Sequence, residues 1–271
     1  MLGQLDHAGL GRPDMRAERF GEDIVRRFAC RVVSELTRSA GVQSGRPTRS
    51  FLDMLVTVVR SGDPAQLARI HDEMRRQRIS AEQVVDIYFP AVIDQIGSAW
   101  HDAQLDILEA TVALSRLQQL LRELGRAWQA DRATSEAMGC VLLVLPQVEQ
   151  HALGAMLAAN QLRRLGVSVR VALMASPQDV GALVFSRSFD AVFLSVSNLD
   201  AKPMAGQLVA AFRQRCGAGL PVVVGGGLAA LAGTTDDRRR LAAELGADLA
   251  TTDLREAIGF CGLQRFRVAA E

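Results

Sequence analysis

The sequence predicts an α/β protein: an N-terminal helical bundle followed by a parallel, doubly wound sheet domain. Three observations carry this. Apolar residues recur at three- and four-residue intervals from Gly21 to Gln129, as in Ile24, Phe28, Val32, Leu36 and again in Leu114, Leu117, Leu121, Leu124, which is the helix period. Beyond the "RATSEAMG" stretch the rhythm changes to five short β-rich runs, each followed by a helix-like segment, and consecutive β-α units mean parallel strands covered on both faces. With 271 residues, 49% of them hydrophobic, the chain can bury one large core or two modest ones.

The elements follow in order. Residues 1–20 read as a flexible tail with no apolar core of signal-peptide length. Residues 21–130 are helical, and breaks at "AGVQSGRPT" (40–48), "SGDP" (61–64), "RIS" (78–80) and "WHDAQLD" (100–106) divide them into four or five helices. "RATSEAMG" is the linker. Residues 139–271 form the second domain, with strands over "CVLLVLP" (140–146), "VSVRVALM" (167–174), "AVFLSVS" (191–197), "PVVVGGG" (221–227) and "ADLATT" (247–252). In the flavodoxin-like strand order 2-1-3-4-5, a crevice opens at the carboxyl ends of strands one and three, with strand four beside them.

Composition excludes several functions. Lys plus Arg number 31 against 30 Asp plus Glu, a net charge of +1, so no strong field attracts nucleic acid or anionic lipid. Direct DNA binding by the chain alone is disfavoured. Cys30, Cys140, Cys216 and Cys261 are scattered without a C-x-x-C pair, against a disulfide framework or a zinc site and in favour of a reducing compartment. No apolar run spans a bilayer, so the expectation is a soluble cytoplasmic protein. Gly225-x-Gly227-x-x-Ala230 matches a dinucleotide fingerprint in form but follows the fourth strand, whereas that fingerprint belongs after the first.

The loops gather the chemistry. "PQVEQHALG" (146–154) follows the first strand and carries His151 between Glu149 and Gly154. Ser195 and Ser197 end the third strand two residues apart, hence on one face. Gly225, Gly226 and Gly227 end the fourth, where missing side chains let a ligand approach the backbone. One crevice thus collects an imidazole, two hydroxyls and a glycine floor.

The order E-x-H-x-x-G, S-x-S, G-G, with 40 residues between Gly154 and Ser195 and 27 between Ser197 and Gly225, resembles the cobalamin-binding signature D-x-H-x-x-G, S-x-L, G-G of corrinoid enzymes and sensors. The helical half resembles the four-helix cap that precedes this domain in methionine synthase and CarH-type photoreceptors. The resemblance implies His151 as lower axial ligand of cobalt in place of dimethylbenzimidazole, with Glu149 fixing its tautomer. It implies Ser195 and Ser197 as partners of the displaced nucleotide tail, and Gly154, Gly225 and Gly226 as room for that tail. The family usually has Asp at the position of Glu149 and Leu at that of Ser197.

Trp100, in "IGSAWHDAQLDILEAT", resembles the cap tryptophan that covers the upper corrin face. The Glu-His pair that follows it in photoreceptors and synthases is replaced by Ala110 and Thr111. That departure implies an aquo, hydroxo or protein-derived upper ligand, with His101 or His7 as the candidates. Only about twenty residues precede the first helix, too few for a DNA-reading helix-turn-helix module. A cap plus cobalamin domain without such a module is similar to the AerR/PpaA group of photosynthesis-gene regulators. The resemblance implies a non-enzymatic, light- or redox-responsive antirepressor that binds a repressor of PpsR/CrtJ type. A corrinoid methyl shuttle partnering a methyltransferase and a haem sensor using the same histidine stay open as alternatives. Oligomeric state is left open by the sequence.

Overall fold

In the computed structural model, which describes residues 47–61, 63–130, 139–149, 152–185 and 188–263, the sheet domain is built outward from strand β1 (Cys140–Pro146), buried along nearly its whole length. The expected tail over residues 1–20, the helix beginning near residue 21, and most of the linker lie outside the described residues, as do His7 and His151. The side chain of His101 lies outside them too.

The helical unit starts with α1 (Arg49–Ser61), whose Phe51, Leu52, Leu55, Val58 and Val59 form one buried stripe at helix spacing. Helix α2 (Pro64–Gln77) follows, and Arg78 at φ +55° ends it at the expected "RIS" break. A capping box of Ser80 and Gln83 opens α3 (Ala81–Gln83). A π-helical turn (Val84–Tyr88) runs directly into α4 (Phe89–His101), and the Phe89 N–H reaches back to the Val84 carbonyl. The widened turn has a local cause, because Pro90 has no N–H to give the Asp86 carbonyl four residues earlier. Tyr88 packs edge-on against Phe51 with ring centroids 4.8 Å apart, and its hydroxyl accepts from the Thr48 N–H at 3.1 Å. After the "WHDAQLD" break, Asp106 and Glu109 cap each other's backbone at the start of α5 (Ile107–Ala130).

The sheet order is β2-β1-β3-β4-β5, every pair parallel. Its elements are α6 (Ala152–Arg164), β2 (Ser168–Ala175), α7 (Val180–Phe185), β3 (Ala191–Ser195), α8 (Lys202–Cys216), β4 (Val222–Gly225), α9 (Gly227–Leu231), α10 (Thr235–Leu245), β5 (Leu249–Ala250) and α11 (Leu254–Phe260). Strand alternation splits the core in two. Leu142, Val144, Val192, Leu194, Val222 and Val224 face Leu208, Val209 and Phe212 of α8 and Leu241 and Leu245 of α10. Val141, Leu143, Phe193 and Val223 face Ala155, Ala158, Ala159 and Leu162 of α6 and Ala257 and Ile258 of α11. Helix α6 has a second face: Leu153 and Leu157 are buried in the core of the helical unit.

Three strands are shorter than the sequence predicts. Strand β3 stops at Ser195: the Val196 N–H still reaches the Gly225 carbonyl, but its own carbonyl accepts from Leu228 at the start of α9. Strand β4 covers Val222–Gly225 rather than 221–227, because Gly226 has φ +80° and Gly227 already belongs to a helix. Strand β5 pairs over two residues only, and Thr251 then turns so that its hydroxyl meets the Glu256 carboxylate. Among the described residues no helix is long and apolar enough to cross a membrane.

Candidate functional site

The loops that follow β1, β3 and β4 meet at one end of the sheet, where the strand order reverses between β1 and β3. The first loop turns tightly: the Glu149 N–H donates to the Pro146 carbonyl at 2.9 Å, and the Gln147 N–H to Ala175 at the end of β2, also at 2.9 Å. This turn drives Glu149 inward until it is 1% exposed, among the few buried polar residues of the described chain. A buried carboxylate needs donors. Ser197 supplies two to the same oxygen, Oε2: its N–H at 2.7 Å, and its hydroxyl in a short contact. Two loops 48 residues apart in sequence are thereby tied together, two positions before His151 in the chain.

The other expected residues take separate places. Ser195 ends β3, half-buried, in register with Gly225. Ser197 lies beyond the strand, so the shared strand face expected for the two serines does not form, and its hydroxyl turns to Glu149. Gly154 sits half-buried in the first turn of α6. A Cβ on Gly226 would stand 2.8 Å from the Val196 carbonyl oxygen, so this glycine is required by the crossing of two backbones. A Cβ on Gly225 would meet the Thr251 carbonyl oxygen at 3.3 Å. Trp100, near the end of α4, is half-buried against the core of the helical unit. Ala110 is buried in that same core, where a glutamate would bring a charge into an apolar cluster; Thr111 is exposed.

Sequence reasoning missed the rim. Val148 and Leu199, 50% and 59% exposed, lie just past β1 and β3 in the same loops as Glu149 and Ser197, and Leu173 and Met174, 52% and 57% exposed, lie near the end of β2. Met174 holds φ +57°, uncommon for a residue with a side chain. For Val148 and Leu199 the signal was present: apolar residues at loop positions just past a strand, where polar turn residues are the rule. The exposed apolar side chains of Val148 and Leu199 beside the Glu149–Ser197 tie are what this end of the sheet offers a ligand, while Gly225 and Gly226 serve the close packing of the protein's own backbone.

Comparison with known proteins identifies the fold first. The monomethylamine corrinoid protein of Methanosarcina barkeri covers 78% of this chain and 94% of its own, with TM-score 0.59 at 13% identity. A cobalamin-binding protein from Desulfitobacterium hafniense covers 78% and 96% more loosely, with TM-score 0.40 at 15% identity. The chain therefore has the corrinoid-protein fold, a helical unit leading into a five-stranded parallel domain. Sequence then gives the family. The chain is 34% identical over 185 residues, 68% of its length and 93% of the relative's, to an uncharacterized 20.5 kDa protein in the bchF-crtJ intergenic region of Rhodobacter capsulatus, and it belongs to that protein's family. No protein-family model matches the chain.

Proposed function

We propose that the chain is a cobalamin-binding regulator, not an enzyme, that acts as a light- or redox-responsive antirepressor on a repressor of PpsR/CrtJ type. The observation that carries the cofactor half is the buried Glu149 carboxylate, held by Ser197 two residues before His151. A carboxylate so placed orients an imidazole and keeps its metal-binding nitrogen free of the proton. His151 would hold the cobalt, Ser195, Gly154, Gly225 and Gly226 would border the nucleotide tail, and Trp100 would lie against the corrin on the side of the helical unit. The corrin would supply a light-absorbing cobalt, and water, hydroxide, or the imidazole of His101 or His7 would complete its coordination. The protein's part is to hold one face and sense the other.

The repressor half rests on the relative, whose gene region adjoins crtJ, and on a net charge of +1, which gives the chain little attraction for DNA by itself. A methyl-shuttle role is the second reading, favoured by the likeness to a monomethylamine corrinoid protein. Haem on the same histidine is separated from both by the visible spectrum. The test of the cofactor half is hydroxocobalamin titration: wild type takes up the base-off form and His151→Ala retains little, whereas equal retention rejects the reading. The test of the output is repressor capture by loaded and empty chain, in light and dark. A cofactor-dependent difference is expected, together with DNA binding that is weak and lost with salt.

A further inference from the structure

Helix α6 touches the helical unit along one stripe, and the stripe changes character along its length. At the end nearest the candidate site Leu153 and Leu157 enter the apolar core of the helical unit. One turn on, Asn160 is 4% exposed, and a Cβ on Gly125 of α5 would stand 2.8 Å from its Oδ1, so the two helices approach closely here. At the far end Arg164 makes a bidentate pair with Asp86, Nη1 to Oδ2 at 2.8 Å and Nη2 to Oδ1 at 2.6 Å. The side chains are 16% and 11% exposed, and the partners lie 78 residues apart. Asp86 is carried by the π-helical turn, an irregular segment that sets which way the side chain projects.

We propose that the Asp86–Arg164 pair is a latch that holds the helical unit shut on the sheet domain. A largely desolvated fork of two charge-assisted hydrogen bonds is directional: it is either made or lost, and losing one partner leaves an uncompensated charge in the seam. An apolar stripe would bind without fixing orientation, so the pair sets the angle at which the two units close. The latch is a property of the empty chain and does not rest on the ligand proposed above.

Hydrogen exchange of the ligand-free full chain tests it, read at residues 84–88 and along α6. Asp86→Arg and Arg164→Asp are each expected to speed exchange at both segments by about tenfold, the ratio given by ~1.4 kcal/mol of lost coupling. The double variant, with the charges swapped, is expected to return to within about threefold of wild type, as a directly coupled pair requires. Strands β3 and β4 stay protected throughout. Single variants that exchange at the wild-type rate, or a swap no slower than the singles, overturn the latch. Should the reversals unfold the chain, as loss of β3 and β4 protection would report, Asp86→Asn and Arg164→Lys are read the same way. Faster seam exchange in both then supports the latch, and unchanged exchange overturns it.

Discussion

Gly226 is where the backbones of the β3 and β4 loops cross, with φ +80° and no room for a Cβ beside Val196. Gly226→Ala is expected to destabilise the fold by about 1–3 kcal/mol, read as a lower Tm in the ligand-free chain. The rim side chains behave oppositely. Val148 and Leu199 are half or more exposed, so Val148→Ser and Leu199→Ser should shift stability by no more than ~0.5 kcal/mol. If they border the ligand, both weaken hydroxocobalamin binding severalfold, and unchanged affinity in both removes them from the site. Cys261 makes a pH prediction. Burial, and secondarily the negative charge of Asp248, push its thiol up to about 11. The folded chain therefore prefers the protonated thiol more than the unfolded chain does. The stability this contributes is fully present below the ordinary value of 9.0 and is lost as pH rises towards about 11. Cys261 should alkylate more slowly than free cysteine at pH 8, as mass spectrometry of the intact protein would show.

At the scale of elements, β1 was legible over Cys140–Pro146 because a seven-residue apolar run has one interpretation in a parallel sheet. The ends of β3 and β4 were not. "SVS" and "GGG" have the composition of strand ends, and where the ladder stops depends on Val196 bonding to Gly225 and Leu228, contacts made only once the strands are adjacent. The same limit applies to the site. Glu149 and Ser197 were each visible as loop residues with chemistry, but their mutual hydrogen bonds join two loops through the fold. Asp86 left a trace, a lone acid inside the apolar "VVDIYF" run, yet nothing local pointed to Arg164. The second face of α6 yields a further prediction. Leu157→Ala should cost about 2–5 kcal/mol, because the side chain is fully buried in the helical unit's core. A Tm unchanged from wild type, read by calorimetry, would contradict that placement.

For the whole molecule, two units share one helix. Ala155, Ala158, Ala159 and Leu162 of α6 complete the sheet core while Leu153 and Leu157 complete the helical one, so wild type should unfold in a single cooperative transition. A charge reversal at Asp86 or Arg164 is expected to split that transition in two, which differential scanning calorimetry resolves. The sharing also bears on synthesis. The helical unit leaves the ribosome first, but its core lacks two leucines until α6 has emerged. During that interval an apolar notch lies open on the nascent chain, a surface that chaperones hold. Translation arrested before residue 152 should therefore give a helical product that is protease-sensitive and chaperone-bound. Arrest only once residue 164 has cleared the exit tunnel should release it, because one helix closes the notch as it begins the next domain.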